Sequence, residues 1–250
     1  MLRRSTDILL CVSNGINTAT EIAAYYRYSI STVHRLLQNL KELRWVIQDS
    51  DTHKYYLGPL LTQLNANRVG SHRYLIVHAL REMGSLSYLT EETINLGILD
   101  QLHYVHLHDI PSFHNLRIIE ESNKMMGNYI GATAKVLLSQ LPDAELKAAL
   151  KHISPARLSR NGKVDKKALL KQLLDIRKTG YCVTENERID GAMCISARVS
   201  DYICPAMIAV VGPSDRLKPR ANDIIEATIA SASRISEDVR GAFGGTGGES

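Results

Sequence analysis

Apolar residues in the first third of the chain recur at three- and four-residue intervals, within short segments that polar turns separate. Such spacing buries one face of an α-helix. It predicts a helix over 3–13, ended by Asn14-Gly15, a second helix with apolar positions 22, 23 and 26, and a third with apolar positions 33, 36, 37, 40 and 43. Ser29 precedes the third helix and is expected to cap it by accepting backbone N–H bonds.

Two short apolar segments, 45–47 and 55–57, follow these helices, and the polar run Asp49-Ser50-Asp51-Thr52 separates them. This order predicts a strand, a turn and a strand. Three helices followed by a small hairpin form a winged helix-turn-helix, whose last helix reads the major groove of DNA. Polar side chains on that helix and on the wing suit phosphates and base edges. The predicted DNA contacts are Ser29, Ser31, Thr32, His34, Arg35, Asn39 and, in the wing, Lys54.

From residue 93 onward, strand-like segments enclose a group of helical ones. The predicted strands are Thr93–Leu99, His103–His108, Leu116–Glu120, Tyr181–Thr184, Ala192–Val199 and Pro205–Val211, and the predicted helices are Thr133–Leu141, Ala144–Lys151, Lys166–Thr179 and Pro219–Val239. Strands divided in this way by helices predict an α+β domain with a central antiparallel sheet. Such a sheet leaves space for a small-molecule cavity.

The predicted organisation is therefore an N-terminal winged helix-turn-helix domain at 1–65, a linker helix at 66–84, a second, α+β domain at 85–241 and a disordered, glycine-rich tail at 242–250. A chain of 250 residues is long enough for both domains to have their own core. The exposed apolar face of the linker helix is a candidate dimer seam.

The net charge of the chain is +4, which permits binding to nucleic acid without requiring it. Residues 1–65 contain seven Lys or Arg and five Asp or Glu, a net charge of +2. A single domain of this charge makes few phosphate contacts. We therefore expect a homodimer or homotetramer that presents two reading helices to double-stranded operator DNA.

Four cysteines at 11, 182, 194 and 204 show no CxxC spacing, which fits small buried thiols in a reducing compartment. Charged residues interrupt every apolar run before the ~20 residues that a membrane helix needs. The N-terminal residues have no small-residue cleavage site. These observations predict a cytoplasmic protein without membrane contact.

Several side chains capable of catalysis or metal binding occur without a recognised arrangement. Histidines at 103, 106, 108 and 114 cluster, but no cysteine or second carboxylate joins them at a known ligand spacing. No motif places a base near Cys194, and the carboxylates at 185, 187 and 190 are interpreted as loop residues. We therefore predict no catalytic residue, no metal site and no cofactor. A metabolic enzyme with a helix-turn-helix-like appendage and an architectural DNA-binding protein remain the alternatives.

Several separate segments resemble the IclR family of bacterial transcriptional regulators, and together they cover nearly the whole chain. They are Ser31–Leu37 with Tyr56-Leu57-Gly58, Glu92–Leu96, Lys135–Pro142, and Ile176–Tyr181 continuing through Glu187, Gly191, Cys194-Ile195 and Gly212-Pro213. The resemblance implies a GAF-like effector domain and control of an operon, by repression or activation, in response to a small organic or sugar acid. The effector-binding residues that it implies are Gly131, Ala132, Thr133, Thr184, Cys194, Ala209 and Val211.

The chain departs from the family pattern around this implied pocket. The run 129–135 lacks the usual proline and histidine and is two residues shorter, and Arg198 replaces a proline. Ala209 and Val211 occupy positions that often hold a polar pair. We therefore expect a pocket that is less polar than is usual in the family.

Overall fold

The structure is a computed structural model that describes residues 2–65, 68–118, 125–126, 129–154, 158 and 164–243. It divides the chain into two compact units, Met1–Ser71 and His72–Ser250.

The first unit contains the predicted three helices and hairpin. Its elements are α1 (Leu2–Ser13), α2 (Ala19–Tyr26), α3 (Ile30–Glu42), β1 (Val46–Gln48), β2 (Tyr55–Leu57), α4 (Pro59–Leu64) and α5 (Arg68–Ser71). The strands β1 and β2 pair antiparallel, with Ile47 opposite Tyr56. Apolar side chains of the three long helices and the hairpin form one core, in which Ile22, Val33 and Leu37 are fully buried.

Local hydrogen bonds explain where α2 and α3 begin and end. Thr18 and Glu21 form a capping box at the start of α2, which the sequence interpretation did not identify. Arg27 ends α2 in the left-handed conformation, with φ 54°. Ser29 caps α3 as predicted, because its side chain accepts a bond from the Thr32 N–H. The turn between the two helices is therefore defined at both of its ends.

The second unit is an α+β fold, as predicted. Its elements are α6 (Arg73–Thr90), β3 (Thr93–Asp100), β4 (His103–Ile110), β5 (Met125–Met126), α7 (Ala132–Ser139), α8 (Asp143–His152), α9 (Lys166–Thr179), β6 (Tyr181–Glu185), β7 (Ala192–Val199), β8 (Ala206–Pro213), α10 (Ser214–Leu217) and α11 (Ala221–Phe243). Among the described residues, six strands form one sheet in the order β5-β4-β3-β8-β7-β6. Every pair in that sheet is antiparallel.

Alternate residues along β8 separate the two faces of this sheet. Met207 and Ala209 pack in a core cluster with side chains of α7, α8 and α9. Ile208 and Val210 are fully buried outside that cluster, and they therefore point to the other face. Helices α6 and α11 pack there against each other and against the sheet. The face that carries α7 is the one that holds the cavity described below.

An edge strand and the linker helix differ from their predicted positions. The predicted strand Leu116–Glu120 was wrong in its described part, since residues 116–118 have no strand structure, and residues 119–120 lie outside the described residues. The edge strand is instead β5, which pairs with Tyr104 and Val105. Within the segment 66–84 expected as a linker helix, α6 begins at Arg73 and buries Leu75, Ala79 and Met83 in the second unit. Residues 244–250 of the expected tail are outside the described residues.

Candidate functional site

The polar face of α3 is an exposed surface of the first unit. Val33, Leu36, Leu37 and Leu40 are buried, which fixes the rotation of the helix. Ser31, His34 and Arg35 are consequently exposed, while Thr32 and Asn39 are half-buried at the edge of the face. The structure thus brings the predicted reading residues of α3 onto one side of the helix.

Three hydroxyl groups meet at the start of α3. The Ser29 Oγ atom lies 2.7 Å from Thr32 Oγ1 and 3.2 Å from Ser31 Oγ. Ser29 therefore helps to form the helix start. Its neighbours extend the polar surface beside the backbone N–H groups of the first turn, which favour a phosphate.

The wing is internally bonded and only weakly cationic. Asp49 Oδ1 accepts bonds from the backbone N–H of Asp51 at 3.1 Å, from the N–H of Thr52 at 2.7 Å and from the Thr52 hydroxyl at 2.7 Å. These bonds lower the pKa of the Asp49 carboxyl, the two from Thr52 most strongly. Lys54, which immediately precedes β2, is exposed. With carboxylates at its tip, the wing suits a peripheral contact with DNA better than a deep one.

A small cavity, open to solvent on one side, lies against the α7 face of the sheet in the second unit. It is enclosed by the start of α7, the ends of β6, β7 and β8, and the loop between β6 and β7. Its lining comprises Ile118, Ile130, Gly131, Ala132, Thr133, Thr184, Glu187, Arg188, Ile189, Ala192, Met193, Cys194 and Val211. Six of the seven residues named from the family resemblance therefore lie around one cavity.

Ala209 is the seventh, and it does not line the cavity itself. It lies on the same face of β8 as Val211, but two residues further from the cavity, where it packs in the core cluster with residues of α7. Its side chain is fully buried. Sequence spacing correctly identifies the face of β8, but it cannot show how far α7 covers that face.

The start of α7 depends on a residue from β6. Gly131 precedes the helix and has no side chain to cap it. The Thr184 hydroxyl accepts the Ala132 N–H at 3.1 Å instead, across 52 residues of sequence. Lys135 N–H donates the first intrahelical bond, to the Gly131 carbonyl. The N–H groups of Thr133 and Ala134 therefore have no acceptor within the helix.

The charged residues of the lining were not among those predicted from sequence. Lys135 Nζ donates to Glu187 Oε1 at 2.6 Å, and the Lys135 side chain is 9% exposed. This pair balances the charge of Glu187 and ties the β6–β7 loop to α7. Arg188 is the other charged residue of the lining. The family resemblance includes Lys135 and Glu187, but nothing in the sequence predicted their pairing or placed Arg188 in the lining.

The remaining reactive side chains do not assemble into a second site within the described residues. No group of three or more His, Cys, Asp or Glu there is arranged to hold a metal ion. Burial raises the pKa of the Cys182 thiol to about 11, so it is protonated at neutral pH. Among the described helices, none is long and apolar enough to cross a bilayer.

Comparison with known proteins gives a match to two family descriptions. "IclR helix-turn-helix domain" matches residues 1–50, and "Bacterial transcriptional regulator IclR C-terminal" matches residues 68–237. The chain is 36% identical over 182 residues to the HTH-type transcriptional regulator KdgR of Escherichia coli strain K12. That match covers 73% of this chain and 69% of KdgR.

Solved structures share the fold. An IclR-family transcriptional regulator from Rhodococcus sp. matches with a TM-score of 0.73 and 24% identity, over 94% of this chain and 92% of that one. An IclR homologue from Microbacterium hydrocarbonoxydans, solved in complex with 4-hydroxybenzoate, matches with a TM-score of 0.59 and 19% identity, over 96% and 99% of the two chains.

Proposed function

Because the chain belongs to the IclR family of bacterial transcriptional regulators, we propose that a small carboxylic acid binds in the cavity of its second unit and changes its affinity for operator DNA. The protein is a ligand-responsive DNA-binding regulator. Our proposal concerns the chemical class of the ligand, the residues that bind it and the way in which the first unit contacts DNA.

The observation that carries the proposal is the start of α7 at the cavity wall. Gly131, Ala132 and Thr133 all line the cavity. The first N–H groups of a helix carry partial positive charge and bind anions, and those of Thr133 and Ala134 have no acceptor in the helix. Arg188 also lines the cavity, and Lys135 balances the charge of Glu187. These groups favour a carboxylate at this end of the cavity.

The rest of the lining suits an apolar ligand body. Ile118, Ile130, Met193 and Val211 provide aliphatic or thioether surface, and Cys194 adds a small thiol. A ligand with a carboxylate and a compact carbon skeleton is complementary to this division of polar and apolar walls. The homologue that contains 4-hydroxybenzoate binds a molecule of this type, which supports the class without naming the ligand of this chain.

For the first unit, we propose that α3 enters the major groove of operator DNA. Arg35, His34 and Ser31 then face base edges or phosphates, and Lys54 contacts the backbone from the wing. Two copies, in a homodimer or homotetramer, read the two halves of a palindrome. The operon is repressed or activated according to which ligand state binds the operator more tightly.

The first experiment identifies a ligand by thermal shift. Benzoate, 4-hydroxybenzoate, hexanoate and gluconate are added separately to the full chain. A ligand at a hundred times its Kd stabilises the folded state by about 2.7 kcal/mol, which is measurable as a higher Tm. The operator is selected from random DNA duplexes, and its affinity is titrated with and without the stabilising acid.

Cavity residues are then tested with a pair of variants. Cys194→Trp should fill the cavity, abolish both the thermal shift and the effect of the acid on operator affinity, and preserve DNA binding without the acid. Cys194→Ser conserves size and should respond as the wild type does. A Cys194→Trp protein that responds normally would place the ligand elsewhere and refute the proposed site.

A further inference from the structure

The side-chain amide of Asn95, on β3, is buried without a hydrogen-bond partner. Asn95 is 1% exposed. Neither Nδ2 nor Oδ1 has a partner in the part of the chain that the structure describes. An amide left unsatisfied in this way destabilises the folded protein. Such a group needs a hydrogen-bond partner that the described residues do not supply.

Strand register places this amide beside the cavity floor. Thr93 lies opposite Val211 on β8, and Val211 lies opposite Cys194 on β7. Val211 and Cys194 both line the cavity. Asn95 is two residues beyond Thr93, on the same face and about 6.6 Å further along the strand. It is thus a diagonal neighbour of Val211, within reach of a ligand that crosses this residue.

None of the described strand neighbours of Asn95 hydrogen-bonds its side-chain amide. Ala209, directly opposite on β8, has no side-chain atom beyond Cβ. The Thr93 hydroxyl accepts the Ser112 N–H at 3.2 Å. Asp109, directly opposite on β4, makes no hydrogen bond to the amide either.

We propose that Asn95 hydrogen-bonds a hydroxyl or carbonyl group of the effector, at the end of the ligand away from its carboxylate. This inference rests on the proposed function, because it takes the carboxylate to bind at the start of α7. A hydroxyl group can accept from Nδ2 and donate to Oδ1, whereas a carbonyl satisfies Nδ2 alone. The effector is then an oxygen-substituted carboxylic acid rather than a purely hydrocarbon one.

Buried amides make such a preference strong. A site that hydrogen-bonds a ligand hydroxyl rejects the analogue without it, because the protein group is then left unpaired. Asn95 would consequently determine specificity, while the start of α7 would bind the carboxylate shared by all candidate ligands.

The test compares two pairs of acids, 4-hydroxybenzoate against benzoate and gluconate against hexanoate, by calorimetric titration of the full chain. Wild type should bind the oxygenated member of at least one pair about tenfold or more tightly. Asn95→Leu, which has similar shape and no hydrogen-bonding group, should bind both members within about threefold. Asn95→Thr retains a hydroxyl group and should recover part of the preference, which guards against a folding defect in the leucine variant.

Ser87→Ala is the matched control. Ser87 Oγ is also buried without a hydrogen-bond partner among the described residues, but it lies on α6, against the opposite face of the sheet. This variant should retain the wild-type preference.

The outcomes separate the two proposals. An unchanged preference in Asn95→Leu, with the acids still bound, would overturn the role of Asn95 and preserve the carboxylate cavity. Wild-type protein that binds both members of each pair equally would also overturn the role of Asn95 and preserve the carboxylate cavity. Failure of all four acids to bind the wild type would overturn both proposals together.

Discussion

Gly131 begins α7 with φ 90° and ψ 176°, a backbone conformation that residues with a Cβ rarely adopt. There is space for a methyl group, since an added Cβ would be 3.8 Å from the Arg188 Cβ and 3.9 Å from Thr184 Oγ1. The cost of Gly131→Ala is therefore conformational, about 1–3 kcal/mol. We expect a lower Tm and a weaker response to the acid, because relaxing the strain would rotate the N–H groups at the start of α7 that are proposed to bind the carboxylate.

Gly84→Ala provides the comparison for this prediction. Gly84 is exposed within α6, and an added Cβ would meet nothing within 4 Å. Alanine should raise the stability there, by up to about 1 kcal/mol. The two Gly→Ala changes should therefore move Tm in opposite directions in thermal unfolding. An equal effect of both would show that the conformation of Gly131 is not restrictive.

Arg35 is the residue of the first unit that we expect to contribute most to DNA specificity. It is exposed on the polar face of α3, and its guanidinium can donate two bonds to a guanine edge. Arg35→Ala should weaken operator binding by about 1–3 kcal/mol in a gel-shift titration. Lys171→Ala, at an exposed position of α9, removes the same charge and should change the affinity little. Unchanged affinity in the Arg35 variant would exclude it from the reading surface.

At the scale of elements, one arginine joins α9 to the end of α7. Arg177 Nε donates to the Ser139 carbonyl and Nη2 to the Leu141 carbonyl, both at 2.7 Å, while Nη1 contacts Asp143. Its guanidinium thus satisfies carbonyls that the helix end leaves without partners. Arg177→Met should destabilise the protein by about 2 kcal/mol, since two carbonyls lose charge-assisted bonds.

Asp143→Asn separates the ion pair from these carbonyl bonds. Arg177 lowers the pKa of the exposed Asp143 carboxyl, chiefly through their hydrogen bond. Stability from this pair is therefore present above the ordinary carboxyl pKa and disappears as pH falls through the lowered value. Urea unfolding at pH 7 should show a small loss for Asp143→Asn and a larger one for Arg177→Met. Equal losses would assign the effect to the ion pair.

At this scale, the sequence predicts an element boundary well when local interactions set it, and less well when residues distant in sequence set it. Helix α9 was predicted to the residue, because Gly180 ends it locally in the left-handed conformation, with φ 80°. The start of α7 was predicted one residue late, and its cap comes from Thr184 on another strand. Ala209 was expected in the lining but lies outside it for a related reason, since the packing of α7 over β8 has no local sequence signature. The position of Asn95 near the cavity is visible only from the register of strands β3, β8 and β7.

At the scale of the whole molecule, the weak charge of the first unit predicts assembly. A net charge of +2 over residues 1–65 implies few phosphate contacts for one copy, and two copies on a palindrome double that number. Light scattering at micromolar concentration should therefore show at least twice the 27.8 kDa chain mass.

Salt dependence tests whether both copies contact DNA. The slope of log K against log salt is about −0.9 for each phosphate neutralised on B-DNA. A duplex with both half-sites should therefore give about twice the slope of a duplex with one, because each reading helix and wing contributes its own contacts. Equal slopes on the two duplexes, or a monomer that binds the full operator with undiminished affinity, would show that one copy suffices. The operator would then lack the two-fold symmetry that we inferred from the weak net charge of the first unit.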